Sequence, residues 1–211
     1  NTAETSFLGL IQGAERELNK QKKKQILKLG SDPKEEKINK ILNKHVRVEK
    51  IVVKDAKLRT FITSGEARND LVSHVYDVTY GIVKNDQDTL ILIDDSIVRG
   101  TTLKTSIIKI VSRLRPNKII IVSSAPQIRY PDCYGIDMSK MGEFVAFKAL
   151  VALIKETGQD ELMQKAYIKC KEQMNLPKEK VKNQVKKLYD LFSYEEISNK
   201  IAEIITPEGT K

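Results

Sequence analysis

A chain of 211 residues, 40% apolar and 31% charged, is long enough to bury one core and has the composition of a soluble globular protein. Its formal charge of +9 comes with two cysteines, no tryptophan and no apolar run long enough to cross a bilayer. These features exclude a disulfide-framed secreted module and a helical membrane span, and the expected compartment is the reducing cytoplasm.

Residues 3–44 read as helical. Phe7, Leu8, Leu10 and Ile11 make one apolar face; Ile26, Leu27, Ile38, Ile41 and Leu42 make another; Gly30-Ser31-Asp32-Pro33 breaks the run. The stretch 14–44 is basic, but only Lys20-Gln21-Lys22-Lys23-Lys24 is a true cluster. Acids interrupt the rest, as in Lys34-Glu35-Glu36-Lys37. No aromatic residue interleaves with the lysines to stack bases, so solvated helix faces are the better reading and no nucleic-acid partner is expected. Val46, Val48, Ile51 and Val53 alternate as in a strand. Residues 55–70 are polar around Gly65, and His74–Val83 suits a strand or a short helix.

A core strand over Leu90–Ile93, a helix from about Thr102 to Arg115 and a strand over Lys118–Ser123 make one βαβ unit, with Pro116-Asn117 as its turn. Helix resumes near Lys140. Residues 156–211 read as a helical appendage to a first domain, 1–155. Within it Thr157-Gly158 ends a helix, Met163, Ala166, Tyr167 and Cys170 form an apolar stripe, Leu176-Pro177 breaks the chain, and Ser193-Tyr194-Glu195-Glu196 has the form of a capping box. The stripe suits packing better than a cofactor site.

The chemistry concentrates in Leu90-Ile91-Leu92-Ile93-Asp94-Asp95-Ser96-Ile97-Val98-Arg99-Gly100-Thr101-Thr102. A buried strand runs into two carboxylates, then a short loop, then Leu103, Ile107, Ile108, Ile110, Val111 and Leu114 at helical spacing. Such a junction sets free N–H groups and a positive helix end at the carboxyl edge of a sheet. Gly100 lets the backbone approach a ligand, and Ser96, Thr101 and Thr102 add hydroxyl donors, which together suit a phosphate monoester. Asp94 and Asp95 repel phosphate; they suit sugar hydroxyls or a Mg²⁺ that bridges to phosphate oxygens. The pattern therefore asks for a phosphorylated sugar with vicinal hydroxyls. The bland alternative is a strand end with two solvated aspartates. No G-K-[ST] sequence is present to make a nucleotide-hydrolase P-loop. His45, His74, Cys133 and Cys170 lack metal-ligand spacing, so no zinc site is expected.

This segment resembles the phosphoribosyl pyrophosphate (PRPP) motif of type I phosphoribosyltransferases and, more narrowly, the version in amidophosphoribosyltransferases. Ser124-Ala125-Pro126-Gln127-Ile128-Arg129-Tyr130-Pro131 with Tyr134-Gly135-Ile136-Asp137-Met138 is similar to that family's stretch after the next strand, and Arg59-Thr60-Phe61-Ile62 to the start of its mobile loop. Asn1-Thr2-Ala3-Glu4-Thr5-Ser6 resembles its pyrophosphate loop weakly. The likeness covers residues 54–148.

The resemblance implies an α/β fold, a type I phosphoribosyltransferase-like parallel sheet flanked by helices, with its first strand missing before residue 1. It implies transfer of ammonia to C1 of PRPP, giving 5-phosphoribosylamine and pyrophosphate for purine synthesis. Ser96, Ile97, Val98, Arg99, Gly100, Thr101 and Thr102 would hold the 5-phosphate. Asp94 and Asp95 would hold the ribose hydroxyls and, with Thr2, lie near Mg²⁺. Lys54, Arg59 and Arg68 would belong to a lid over the pyrophosphate, and Arg129 and Asp137 would border a nucleotide or ammonia-channel region. After Phe61-Ile62 the loop is one residue shorter than the family's. The implied partners are PRPP, ammonia or glutamine, purine nucleotides as feedback ligands, and further copies of the chain. The family's glutaminase half, with its N-terminal cysteine, is absent from this sequence, so the chain reads as the C-terminal portion of a longer enzyme, which alone cannot release ammonia from glutamine and need not be active by itself.

Two rival readings come from other classes. A PRPP-sensing regulator would keep the motif without the chemistry, together with a DNA-binding module that is not evident. A signalling receiver domain would use Asp94 and Asp95 as its acidic pocket and Asp137 as phospho-acceptor, but it needs strands after Asp137 where this chain reads as helix.

Overall fold

The computed structural model describes residues 2–49, 51–54, 76–132 and 138–208, and the chain opens on two helices, α1 (Thr2–Leu27) and α2 (Glu35–Leu42). The break expected at Gly30–Pro33 lies between them. Lys22 Nζ donates to the Leu42 carbonyl and Lys44 Nζ to Gln25 Oε1, both at 3.0 Å, so the second helix folds back on the first.

A short antiparallel ladder follows, β1 (Val52–Lys54) against β2 (Tyr76–Val78), with Val53 opposite Asp77. The strand expected over residues 46–53 thus forms only at its end. The Val46 N–H is taken by the Glu15 carboxylate at 2.8 Å, and the Arg47 guanidinium by Asp88 at 3.0 Å and Glu49 at 3.2 Å. Side chains, not a neighbouring strand, hold this segment.

The central unit is β3 (Thr89–Asp94) beside β4 (Lys118–Ser123), parallel and in register from Thr89↔Lys118 to Asp94↔Ser123. Parallel neighbours need a crossover. Here it runs through a π-helical stretch, Leu103–Ile107, into α3 (Ile108–Ser112) and turns back at Pro116-Asn117. Leu103, Ile108, Ile110, Val111 and Leu114 are buried, as their spacing requires. The architecture is an α/β fold of two parallel strands flanked by helices.

Beyond β4 lie a 3₁₀ turn (Met141–Glu143), α4 (Val145–Glu156), α5 (Asp160–Glu172), a second 3₁₀ turn (Lys178–Lys180), α6 (Lys186–Tyr189) and α7 (Tyr194–Ile205). One buried cluster joins Leu103 and Ile108 to Val145, Ala149, Leu150 and Ile154 of α4, Leu188 and Tyr189 of α6, and Ile197, Ile201 and Ile205 of α7. The boundary expected at residue 155 falls inside this cluster, so α6 and α7 share a core with α4. Lys200 of α7 also reaches Glu156 of α4 at 3.0 Å. On α5, Met163 and Ala166 lean on the core, whereas Tyr167 is 58% exposed and Cys170 is exposed too. Half of the expected stripe is therefore packing and half is surface.

The capping box starts α7. Ser193 Oγ accepts from the Glu196 N–H at 3.1 Å, and the Glu196 carboxylate accepts from the Ser193 N–H at 2.7 Å. The Ser193 hydroxyl and then its N–H hold the Glu196 carboxyl below its usual range. Ser193→Ala is expected to cost about 1 kcal/mol, read as a lower denaturation midpoint. The Glu196 share of this stability is present above the ordinary Glu pKa and lost as pH falls through the lowered one, so the variant's deficit shrinks in acid.

Candidate functional site

β3 delivers Asp94 as its last residue, and Asp95 opens the following loop, so both carboxylates stand at the carboxyl end of the parallel pair. The chain leaving β4 is locked beside them. Ser124 N–H donates to the Asp94 carbonyl at 2.9 Å; Ala125 N–H and the Ser124 hydroxyl donate to the Asp95 carbonyl at 3.0 and 2.9 Å. Asp94 Oδ1 accepts from the Asp95 N–H at 2.9 Å, and Asp95 Oδ1 from the Ser96 N–H at 2.8 Å. Asp94 is half-buried and Asp95 exposed. Burial raises the Asp94 carboxyl pKa; the Asp95 N–H opposes this, and the adjoining Asp95 carboxyl adds to it. An acid pair of this kind favours a partner that brings donors or positive charge.

The loop from Ser96 to Thr102 is anchored by its apolar residues and carbonyls. Ile97 packs against the core cluster, and the Val98 carbonyl accepts from the Val145 N–H at 2.8 Å. The Arg99 guanidinium meets the Glu143 carboxylate at 2.6 Å, which ties the loop to the turn before α4. The Gly100 carbonyl accepts from Lys104 N–H at 3.0 Å and the Thr101 carbonyl from the Thr105 hydroxyl at 2.9 Å. By contrast, the backbone N–H groups of Ile97, Val98, Gly100 and Thr101 meet no protein acceptor among the described residues. Thr101 and Thr102 are exposed. Open N–H groups and hydroxyls at the mouth of a helix form a concavity for an anion.

Gly100 has φ +70°, and a Cβ there would lie 2.6 Å from Ile205 Cγ2 and 3.5 Å from Val145 Cγ2. The glycine is needed twice, for the left-handed turn and for the approach of α7.

Several other expected site residues fall outside what the structure describes. Thr2 is the first residue of α1, and Lys54 ends β1; their side chains, and the whole of Arg59, Arg68 and Asp137, lie outside the described residues. Arg129 is built into a clasp. Its guanidinium donates to Gln127 Oε1 at 2.7 and 3.0 Å and lies 4.8 Å from the Tyr189 ring centroid and 5.4 Å from that of Tyr194. Gln127 N–H donates to the Tyr194 hydroxyl at 2.9 Å, and Gln127 Nε2 to the Tyr194 carbonyl at 2.9 Å and Ser198 Oγ at 2.8 Å. The Tyr189 ring is buried, edge-on to Tyr130 at 5.8 Å, and burial pushes its hydroxyl pKa up. Sequence reasoning missed this clasp; its signal was a Gln-x-Arg after a strand end, and its partners lie sixty or more residues on.

A cavity of about 820 Å³ runs behind the loop, lined by Ile97, Ile121 and Ile205 and also by polar groups such as Arg115, Gln127 and Ser198. Asp94 and Asp95 are not among its lining residues. Of the loop, Ile97 alone lines this space, so the acid pair and the exposed threonines face elsewhere. No strand follows β4 among the described residues, which leaves a receiver topology without its later strands.

No family model matches the chain. Half of it is similar in sequence to amidophosphoribosyltransferases: that of Haemophilus influenzae is 40% identical over 107 residues, 50% of this chain and 21% of the relative. That of Pasteurella multocida is 39% identical over 107 residues, with the same shares of the two chains. That of Escherichia coli is 41% identical over 75 residues, 35% of this chain and 15% of the relative. The chain thus spans about a fifth, or less, of the length of these curated relatives. A solved structure titled the allosteric regulatory enzyme of purine biosynthesis aligns with TM-score 0.40 and 27% identity, over 58% of this chain and 26% of that one.

Proposed function

We propose that this chain provides the phosphoribosyl-binding part of an amidophosphoribosyltransferase, acting on PRPP in purine synthesis. The observation that carries the reading is one continuous stretch: an acid pair at a parallel strand end, followed by a loop with open N–H groups, in a chain similar to enzymes of that name. The loop N–H groups and the Thr101 and Thr102 hydroxyls take the 5-phosphate. Asp94 and Asp95 accept hydrogen bonds from the ribose hydroxyls and hold the ring with C1 toward solvent.

The donor set also fits Mg²⁺. The two adjoining carboxylates offer hard oxygen ligands, and a cation offsets their mutual repulsion. Among the described residues no group of three or more His, Cys, Asp and Glu could hold a metal, so such an ion must share its ligands with substrate oxygens and water. When bound, Mg²⁺ withdraws charge from the pyrophosphate leaving group.

Ammonia attacks C1 as the bond from C1 to the pyrophosphate oxygen breaks. The new ammonium loses a proton to solvent, and 5-phosphoribosylamine and pyrophosphate result. No protein nucleophile is required; the acid pair and the loop contribute position and charge. Lys54 and Arg59 are assigned to the lid that excludes water, and glutamine-derived ammonia comes from a glutaminase outside this sequence.

The test is ammonia-dependent pyrophosphate release from PRPP with Mg²⁺. Release that rises with ammonia supports the proposal, and absence of PRPP binding overturns it. Chelation of divalent cations by EDTA is expected to weaken PRPP binding about tenfold and to leave ribose 5-phosphate binding nearly unchanged, as followed by calorimetry.

A further inference from the structure

We propose that helix α7 is a positioning element for the candidate site, because its two ends grip the two loops that flank Asp94 and Asp95. The inference rests on the phosphoribosyl reading of that site. At the C-terminal end of α7, Ile205 Cγ2 presses on Gly100, and the Ile204 carbonyl accepts from Lys104 Nζ at 2.8 Å. Lys104 follows the open N–H groups by three residues. At the N-terminal end, the Tyr194 hydroxyl and carbonyl and Ser198 Oγ bind Gln127, and the Tyr194 ring covers Arg129. Gln127 lies two residues after Ala125, whose N–H is bonded to the Asp95 carbonyl.

The helix therefore spans the site from behind. One end sets the depth of the phosphate loop, and the other sets the wall beside the sugar. Side chains that act this far from the ligand can work only through loop position, and small misplacements of a binding group reduce affinity steeply. The packing at Ile205 has little slack on the loop side, since a single added methyl on Gly100 would overlap it. On its other side Ile205 borders the cavity, so nothing there compensates if its shape changes.

The experiment compares Ile205→Leu, Ile205→Val and Tyr194→Phe. Leucine keeps the volume but moves the branch away from Cβ and removes the methyl that meets Gly100. Valine keeps a branched Cβ. Tyr194→Phe keeps the ring over Arg129 and removes the hydroxyl that accepts from Gln127. Each protein is titrated with ribose 5-phosphate by calorimetry, and its thermal midpoint is measured alongside.

Ile205→Leu is expected to bind about tenfold more weakly, Ile205→Val like the unmodified chain, and Tyr194→Phe about threefold more weakly. If Ile205→Leu does not fold, Tyr194→Phe decides. Altered midpoints with unchanged affinity would mean that α7 merely supports the core, and would overturn the proposal. Failure of the unmodified chain to bind ribose 5-phosphate would instead remove the phosphoribosyl reading on which it rests.

Discussion

Asp94→Asn should give a folded protein that melts higher than the unmodified chain at neutral pH and turns over PRPP about 10²–10³-fold more slowly. The kinetic part follows from the position of Asp94 at the strand end. Asparagine keeps an oxygen for the Asp95 N–H but loses the charge that holds sugar hydroxyls and a cation. The stability part follows from burial, which raises the folded carboxyl pKa, with the adjoining Asp95 adding to it. Between the ordinary aspartate pKa and this raised value, the folded state holds more protons than the unfolded one. Stability therefore falls as pH rises through that window and stays lower above it. Asparagine removes the penalty, so the gain in midpoint is present at pH 7 and closes below the ordinary aspartate range. Near-normal turnover in the variant, or a midpoint below the unmodified chain at pH 7, would contradict the account.

Gly100→Ala carries the largest stability effect. A residue with a Cβ at φ +70° costs about 1–2 kcal/mol. The same Cβ would stand 2.6 Å from Ile205 Cγ2, and relief of such overpacking costs typically about 1–3 kcal/mol more. Ile205 is β-branched and buried, so relief requires it to leave its rotamer toward the cavity it lines on its other side. We expect a loss of about 2–4 kcal/mol by urea denaturation, together with loss of ribose 5-phosphate binding in the fraction that stays folded. A variant of unchanged stability would mean that α7 does not press on the loop.

What could be read from the sequence was local. The strand at Leu90–Ile93 sits within β3, the strand at Lys118–Ser123 is β4, and the helix after Thr102 is buried at the residues its spacing named except Ile107, which is half-buried. The capping box at Ser193 could be read for the same reason: both partners lie within one turn. The strand over residues 46–53 misled because alternation reports a face, not a partner: Glu15 takes the Val46 N–H that a ladder would have used, and Asp88 holds the neighbouring Arg47 side chain. Arg129 was invisible as a clasp because Tyr189 and Tyr194 meet it only after the chain has passed through α4, α5 and α6. The contact between Gly100 and Ile205 is hidden likewise: the sequence marks the glycine for its turn but not for the helix that arrives a hundred residues later. The acid pair and its loop, being contiguous, were legible as a strand end followed by a turn; Arg59 and Asp137 lie outside the described residues.

The central claim is that backbone amides after the acid pair cradle a sugar phosphate. Amide-resolved ¹H–¹⁵N spectra recorded while ribose 5-phosphate is added test it most directly. Signals of Ile97, Val98, Gly100 and Thr101 are expected to move together and saturate. Shifts confined to residues around the cavity behind the loop, such as Ile119 and Ile201, with those four amides unmoved, would contradict it.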